Sequence, residues 1–141
     1  MRRQTLPGGA ASIARAASGE ILIAYRKERQ WLLTLLDRSW AIKWTQPLTE
    51  IAGLGTRTLK LLATSSGWIV GGGLRGGIFM QALDSSGQLG QRVMDQSDQL
   101  PPADSNWHAA MIDQQPVFRG ASRRRADLDS GGMTEFIWSP Q

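Results

Sequence analysis

The sequence has no cysteine among its 141 residues, and it has a single histidine, His108. Without cysteine there can be no disulfide, no thiolate metal site and no cysteine nucleophile, and the redox compartment stays open. No apolar run approaches the ~20 residues that a transmembrane helix needs. The basic start, Met1 to Gly9, is not followed by the apolar core of a secretory signal. We therefore expect neither a membrane span nor a signal peptide, and the localisation is undetermined.

Strong helical periodicity is also missing, because the best candidate, Ile51 to Leu62, is interrupted by glycines. The stretch from Leu59 to Val93 instead alternates short apolar runs with tight-turn signals. Thr64 to Gly67 and Asp84 to Gly87 combine small hydroxyl or carboxylate residues with a glycine, which is typical of turns. This stretch predicts four short strands. Gly67 is expected to need a positive φ.

Weaker copies of this stretch lie on both sides of it. Leu-Asp pairs place Asp84 47 residues after Asp37, and Asp129 45 residues after Asp84. Ser18 to Ala24 aligns with Ser66 to Gly72 at an offset of 48, and Gln115 to Gly120 is a weaker third copy. A period of this length with four strands per unit predicts the blades of a β-propeller.

These residues resemble bacterial β-propeller repeats, most closely the SBBP-type and more distantly the PQQ-type, with the pattern G-x-I-v-x-G … L-D-x-x-G-x-x-x-W. Gly67 to Gly72 and Leu83 to Gly87 carry the resemblance. Trp44 stands seven residues after Asp37, where such repeats often have tryptophan, but Gln91 takes that place in the central unit. Trp138 follows Asp129 by nine residues and fits only with a shift. The resemblance implies a fold and no activity.

We therefore expect an all-β, β-propeller-like fold of three four-stranded antiparallel blades, either a partial propeller or half of a dimeric ring. Residues 1–9 would be a flexible lead, and residues 10–141 a single β-repeat domain with units at 10–48, 57–94 and 107–141. Propellers close with about four to eight blades, each buried against its neighbours. Three blades leave two apolar flanks, which predicts a homodimer or the remaining blades of a larger propeller. The expected flank residues are Ile21, Ile23, Val117 and Phe118.

The basic residues are unevenly distributed. Residues 1–60 hold ten Lys or Arg against four acids, and residues 61–141 hold six against eight. The clusters Arg26 to Arg29 and Arg123 to Arg125 could bind an anionic partner. Solvated loops between strands explain them as well, and no base-stacking aromatic motif lies beside either cluster. The sequence therefore does not favour nucleic acid as a partner.

Six residues are weak candidates for ligand binding: Trp40, Trp107, His108, Arg123, Arg124 and Arg125. Exposed tryptophans can stack on sugars, although tryptophans in phase with the repeat are expected to pack the blades. His108 would need a carboxylate or hydroxyl from elsewhere in the fold for catalysis, so no catalytic residue is assigned. The aspartates at 37, 84 and 129 could ligate calcium or form Asx turns. We favour the turns, and predict no metal and no cofactor.

The sequence thus favours a non-catalytic binding or scaffold module that presents loops to a protein or glycan. One alternative is an enzyme with its site in a propeller channel, which would need convergent polar residues on the inner strands. The inner positions are mainly Ala, Ile, Leu and Gly. The other alternative is a binder of nucleic acid or another anionic surface through the basic N-terminal half.

Overall fold

The computed structural model describes residues 3, 5–6, 8–48, 59–74, 77–95, 106–122 and 134–138. These ranges contain eleven β-strands and no helix. The strands are β1 Gly9–Arg15, β2 Ile21–Lys27, β3 Gln30–Leu36, β4 Ile42–Leu48, β5 Lys60–Ala63, β6 Gly67–Leu74, β7 Gly77–Asp84, β8 Leu89–Asp95, β9 Asn106–Ile112, β10 Gln115–Ser122 and β11 Thr134–Trp138.

The strands form three sheets, and every pair of neighbouring strands is antiparallel. The first sheet has the order β1-β2-β3-β4, the second β5-β6-β7-β8 and the third β11-β10-β9. Each strand therefore lies next to its neighbour in sequence, as successive hairpins require. The prediction of an all-β chain with antiparallel sheets is confirmed.

The third sheet differs from the predicted four-stranded unit. Among the described residues it has three strands, and β11 pairs directly with β10 through Phe118 and Trp138. Residues 123–133 of the third predicted unit lie outside the described ranges. The Leu128-Asp129 pair, expected to be a third copy of the Leu-Asp turn, lies in that segment.

The other two copies of that turn have the same geometry. Asp37 Oδ1 accepts hydrogen bonds from the backbone N–H of Ser39 at 2.8 Å and of Ala41 at 3.0 Å. Asp84 Oδ1 accepts from the N–H of Ser86 at 3.0 Å and of Gln88 at 2.9 Å. The Asx turns predicted at these two aspartates are confirmed, and the carboxylates are committed to the backbone.

The strand pairing corrects the repeat alignment by one residue. Ile21 lies opposite Leu36, and Trp68 lies opposite Leu83, so Trp68 is the register equivalent of Ile21 at an offset of 47 rather than 48. The cause is the preceding turn. The β1–β2 loop closes between Ala16 and Glu20, whereas the β5–β6 turn closes between Thr64 and Gly67 and is one residue shorter.

The second sheet lies between the other two. We call the face that carries Ile23, Val70 or Phe118 the near face of its sheet, and the opposite face the far face. Val70 and Phe79, on the near face of the second sheet, share one buried cluster with Leu22 and Leu35 of the first sheet. On its far face, Ile78 and Met80 share a second cluster with Phe118 of the third sheet. The near faces of the second and third sheets are thus each packed on the far face of the preceding sheet.

The first strands of the sheets lie side by side. β1 is beside β5, and β5 is beside β9. The Ser12 hydroxyl donates a hydrogen bond to the carbonyl of Leu59 and joins the first two sheets at this edge. The three sheets therefore share an inner edge formed by their first strands.

Two faces have no sheet packed on them among the described residues. On the near face of the first sheet, Ile13 is 66% exposed and Ile23 is half-buried. On the far face of the third sheet, Ile112 is 54% exposed and Val117 is half-buried. The expectation that Phe118 lies on a flank is wrong. Phe118 is fully buried, because glycine at position 71 leaves room for its ring, and a Cβ there would lie 2.4 Å from Phe118 Cζ.

Candidate ligand site at the turn edge

The first hairpin turn of each sheet, between β1 and β2, β5 and β6, and β9 and β10, lies at one end of the molecule. Turns from all three sheets line one cavity of about 600 Å³, through Ala17, Thr64 to Ser66 and Gln114. Successive turns of an antiparallel sheet alternate between its two ends. The turns at 37–41 and 84–88 are two turns further along their sheets, so they lie at the same end. We call this end the turn edge.

The 600 Å³ cavity, which we call the central cavity, is lined by uncharged groups. The hydroxyls of Thr64, Ser65 and Ser66 lie on one side, and Met111, Gln114 and Pro116 of the third sheet lie on the other. Trp68 and Leu83 supply apolar surface. This combination of groups suits an uncharged polar ligand rather than an ion.

A second cavity of about 610 Å³ lies at the outer corner of the first sheet. We call it the corner cavity. It carries two guanidinium groups, one indole and two hydroxyls, and its lining residues are Arg15, Ala17, Ser18, Gly19, Ile21, Arg38, Ser39 and Trp40. The corner cavity combines positive charge with an aromatic ring and hydrogen-bonding groups.

The turn at 37–41 positions Trp40 in this cavity. The Trp40 N–H donates to the carbonyl of Asp37 at 2.9 Å, which closes a three-residue hairpin loop. The last residue of such a loop adopts the left-handed conformation, and Trp40 has a φ of 68°. A residue with a side chain pays about 1–2 kcal/mol for this conformation. Gly87, the register equivalent of Trp40 in the second sheet, has a φ of 90° at no such cost.

The acids beside the corner cavity are already engaged. Glu20 forms an ion pair with Lys43 at 2.7 Å, and the Asp37 carboxylate accepts two backbone N–H groups. The lining of the corner cavity carries the two arginines, Arg15 and Arg38, and no acid, while Glu20 and Asp37 line an adjoining cavity together with Arg38. The stem of Arg38 lies over Gly19, where a Cβ would be 3.2 Å from Arg38 Cγ.

Asp84, the matching aspartate of the second sheet, accepts a further hydrogen bond from a side chain. The Ser86 hydroxyl donates to Asp84 Oδ1 at 2.7 Å, and the Gln88 N–H adds a backbone hydrogen bond. Hydrogen bonds to the ionised form lower the pKa of Asp84 below its ordinary value, and the Ser86 hydroxyl is the largest cause.

The predicted site residues do not come together as one site. Trp40 lines the corner cavity and is 37% exposed. His108 is exposed on β9, in register with Arg119 and towards the end opposite the turn edge. Trp107 pairs through its backbone with Gly120, and nothing is described of its side chain. Arg123, Arg124 and Arg125 lie outside the described residues.

Two of the remaining tryptophans lie buried between sheets, as their positions in the repeat predict. Trp31 and Trp68 are both buried in the cluster between the first two sheets. Trp44 is partly buried against the same cluster.

Sequence reasoning missed Arg15 and Arg38. They are 23 residues apart in the chain, and the pairing of β1 with β2 and of β2 with β3 brings them to one corner. One signal for the site was present, because tryptophan stands at position 40 where the second repeat has glycine. A bulky side chain at a glycine position marks a place where strain is tolerated.

Within the described ranges, no group of three or more His, Asp or Glu side chains could hold a metal ion. No helix in that part of the chain has the length and apolarity to cross a membrane. No family model, curated protein or solved structure matches the chain.

Proposed function

We propose that the chain is an arc of propeller-type blades that acts as a non-catalytic binding and scaffold module, and that a second copy of the chain completes the ring. One observation carries the proposal. Val70 and Phe118 occupy equivalent near-face positions, and both are fully buried by the preceding sheet. Ile23 has the same position in the first sheet but is only half-buried. Ile13 and Ile23 thus form an incompletely covered apolar patch on the near face of the first sheet, beside the hydrogen-bonded hydroxyls of Tyr25, Thr34 and Thr45. We infer that another blade packs on this patch.

The far face of the third sheet offers the matching surface. Phe118 packs in the cluster that Ile69 joins on the far face of the second sheet. The equivalent of Ile69 in the third sheet is Val117, because Gln115 and Gly67 both begin the second strand after a two-residue turn. In the proposed ring, Val117 of one copy therefore lies across from Ile23 of the other.

A two-fold pairing covers both flanks at once, since each copy supplies one near face and one far face. A flank of a few hundred Å² of apolar surface is worth several kcal/mol at ~25 cal/mol per Å². That is comparable with the whole stability of a small domain, about 5–15 kcal/mol. The free energy gained by burying the two flanks is therefore large enough to drive dimerisation of the chain.

The turn edge is the proposed binding surface of this scaffold. It concentrates hydroxyl, amide, guanidinium and indole groups around two cavities. Such groups suit a protein loop or a glycan, because rigid strands hold adaptable polar turns in place.

Cross-linking of introduced cysteines tests the pairing of the two copies. The chain has no cysteine of its own that could react with the cross-linker. The double variant Ile23→Cys/Val117→Cys is treated with a short bismaleimide, and covalent species are resolved by denaturing electrophoresis. We expect a covalent dimer from the double variant and from an equimolar mixture of the two single variants. Each single variant alone is the matched control and should give no covalent dimer, because neither residue lies across from its own copy in the ring. Equal cross-linking of a single variant, or none in the double variant, would contradict the ring.

A further inference from the structure

We propose that the corner cavity binds an acidic sugar, a pyranose ring that carries a carboxylate or a sulfate. This inference specifies a ligand class for the proposed binding module and rests on that function, but it does not require the ring. Trp40 would stack on the apolar face of the sugar, and Arg15 and Arg38 would pair with its anionic group. Ser18 and Ser39 would hydrogen-bond to its hydroxyls.

The backbone at Trp40 is the first argument. The side chain is held in a left-handed conformation, where glycine is the usual residue and where the equivalent turn has Gly87. The ring is 37% exposed at the cavity, so it is not buried in the core. Strain of this kind persists where a side chain serves a function that the fold alone does not need.

The charge of the cavity is the second argument. Its lining contains two arginines and no acid. The carboxylates of Glu20, which pairs with Lys43, and of Asp37, which accepts two backbone N–H groups, line an adjoining cavity together with Arg38. A planar guanidinium can bind a carboxylate or a sulfate with two parallel hydrogen bonds.

Completion of the ring would not close this cavity. Arg15 and Ile21 have Ala63 and Trp68 as register equivalents in the second sheet. Ala63 and Trp68 line the central cavity, which stays open although a sheet packs on each side of them. A copy packed on the near face of the first sheet would therefore leave a groove at the corner cavity.

A single-stranded nucleic acid also offers rings and negative charges, but its sites follow the backbone with a row of cations and several stacking aromatics. The corner cavity has one indole, two guanidinium groups and hydroxyls on its rim. One ring beside one anionic group matches a sugar unit better than a polynucleotide.

Isothermal titration calorimetry with the full chain tests the site. The probes are a trigalacturonate, a sulfated disaccharide from heparin, a neutral maltotriose and a short oligothymidylate. We expect saturable binding of the first or the second probe, with at least tenfold weaker binding of maltotriose and of the oligothymidylate. Trigalacturonate alone would identify the carboxylate as the anionic group, and the sulfated disaccharide alone would identify the sulfate.

Three variants locate the binding. Trp40→Gly and Arg38→Gln should each weaken it by at least tenfold, and Trp40→Gly keeps the turn because glycine favours its φ. Arg29→Gln is the matched control, since it removes the same charge from an exposed turn at the opposite end and should leave binding unchanged. Equal loss in Arg29→Gln, preference for the oligothymidylate, or no binding of either acidic sugar would overturn the site. Absence of sugar binding in a protein that still cross-links as a dimer would reject the sugar site and leave the scaffold intact.

Discussion

The indole ring of Trp44, on the outer strand of the first sheet, lies against Gly87 in the β7–β8 turn of the second sheet. A Cβ on Gly87 would come within 2.8 Å of Trp44 Cε2. The Gln46 side-chain amide donates a hydrogen bond to the Gly87 carbonyl beside this contact. The turn of one sheet is thus held by two residues from the strand of another, at a position where a side chain has no room.

Gly87→Ala should destabilise the chain by about 2–4 kcal/mol. The new methyl group meets the indole ring, and alanine disfavours a φ of 90°. Gly90→Ala in the same hairpin is the control, because the nearest atom to a Cβ there is 3.4 Å away; a change within about 0.5 kcal/mol is expected. Urea denaturation measures both, and equal losses would contradict the contact.

Trp40→Gly should be more stable than Trp40→Ala by about 1 kcal/mol. Both variants remove the same ring, but only glycine relieves the left-handed backbone of the 37–41 turn. Denaturant midpoints of the two variants give this difference directly. If alanine equals or exceeds glycine in stability, position 40 is not strained in the folded protein.

Gly71→Ala should cost about 1–3 kcal/mol through overpacking between the second and third sheets. The added methyl would lie 2.4 Å from Phe118 Cζ and 2.8 Å from the Phe79 carbonyl oxygen. Phe118→Leu shortens the opposing side chain, so the double variant should lose less than the sum of the two single variants. Strict additivity in a double-mutant cycle would show that the two positions do not meet.

Protonation of Asp84 at acidic pH should lower the free energy of unfolding. Its pKa is lowered in the folded chain relative to the ordinary value of 3.8. The resulting stabilisation is present above that ordinary value and is lost as the pH falls through the lower folded pKa. NMR titration of the Asp84 carboxyl carbon should give a midpoint below 3.8. The stability difference from Asp84→Asn should shrink with acid in the same range, and a midpoint at or above the ordinary value would contradict the hydrogen-bonded turn.

The local parts of the fold follow from the sequence. The turns at Asp37 and Asp84 were predictable, because an aspartate, small residues and a left-handed position act within five residues of chain. The strands between them were predictable from short apolar runs bounded by these turns. Gly67 has a positive φ as predicted, and a Cβ there would lie 2.1 Å from the Leu83 carbonyl oxygen.

The features that depend on register were not predictable from spacing alone. One extra loop residue between Ala16 and Glu20 shifts the offset of β2 from 48 to 47, and a shift by one residue exchanges the two faces of a strand. The corner cavity joins Arg15 to Arg38 only through strand pairing, so no local motif could reveal it.

Sedimentation equilibrium of the unmodified chain at micromolar concentration tests the central claim most directly. The near face of the first sheet and the far face of the third are proposed to cover each other between two copies. The predicted result is a well-folded species with twice the 15.5 kDa mass of one chain, converted to smaller species by Ile23→Glu. A stable, fully folded monomer of 15.5 kDa at that concentration would contradict the proposed ring.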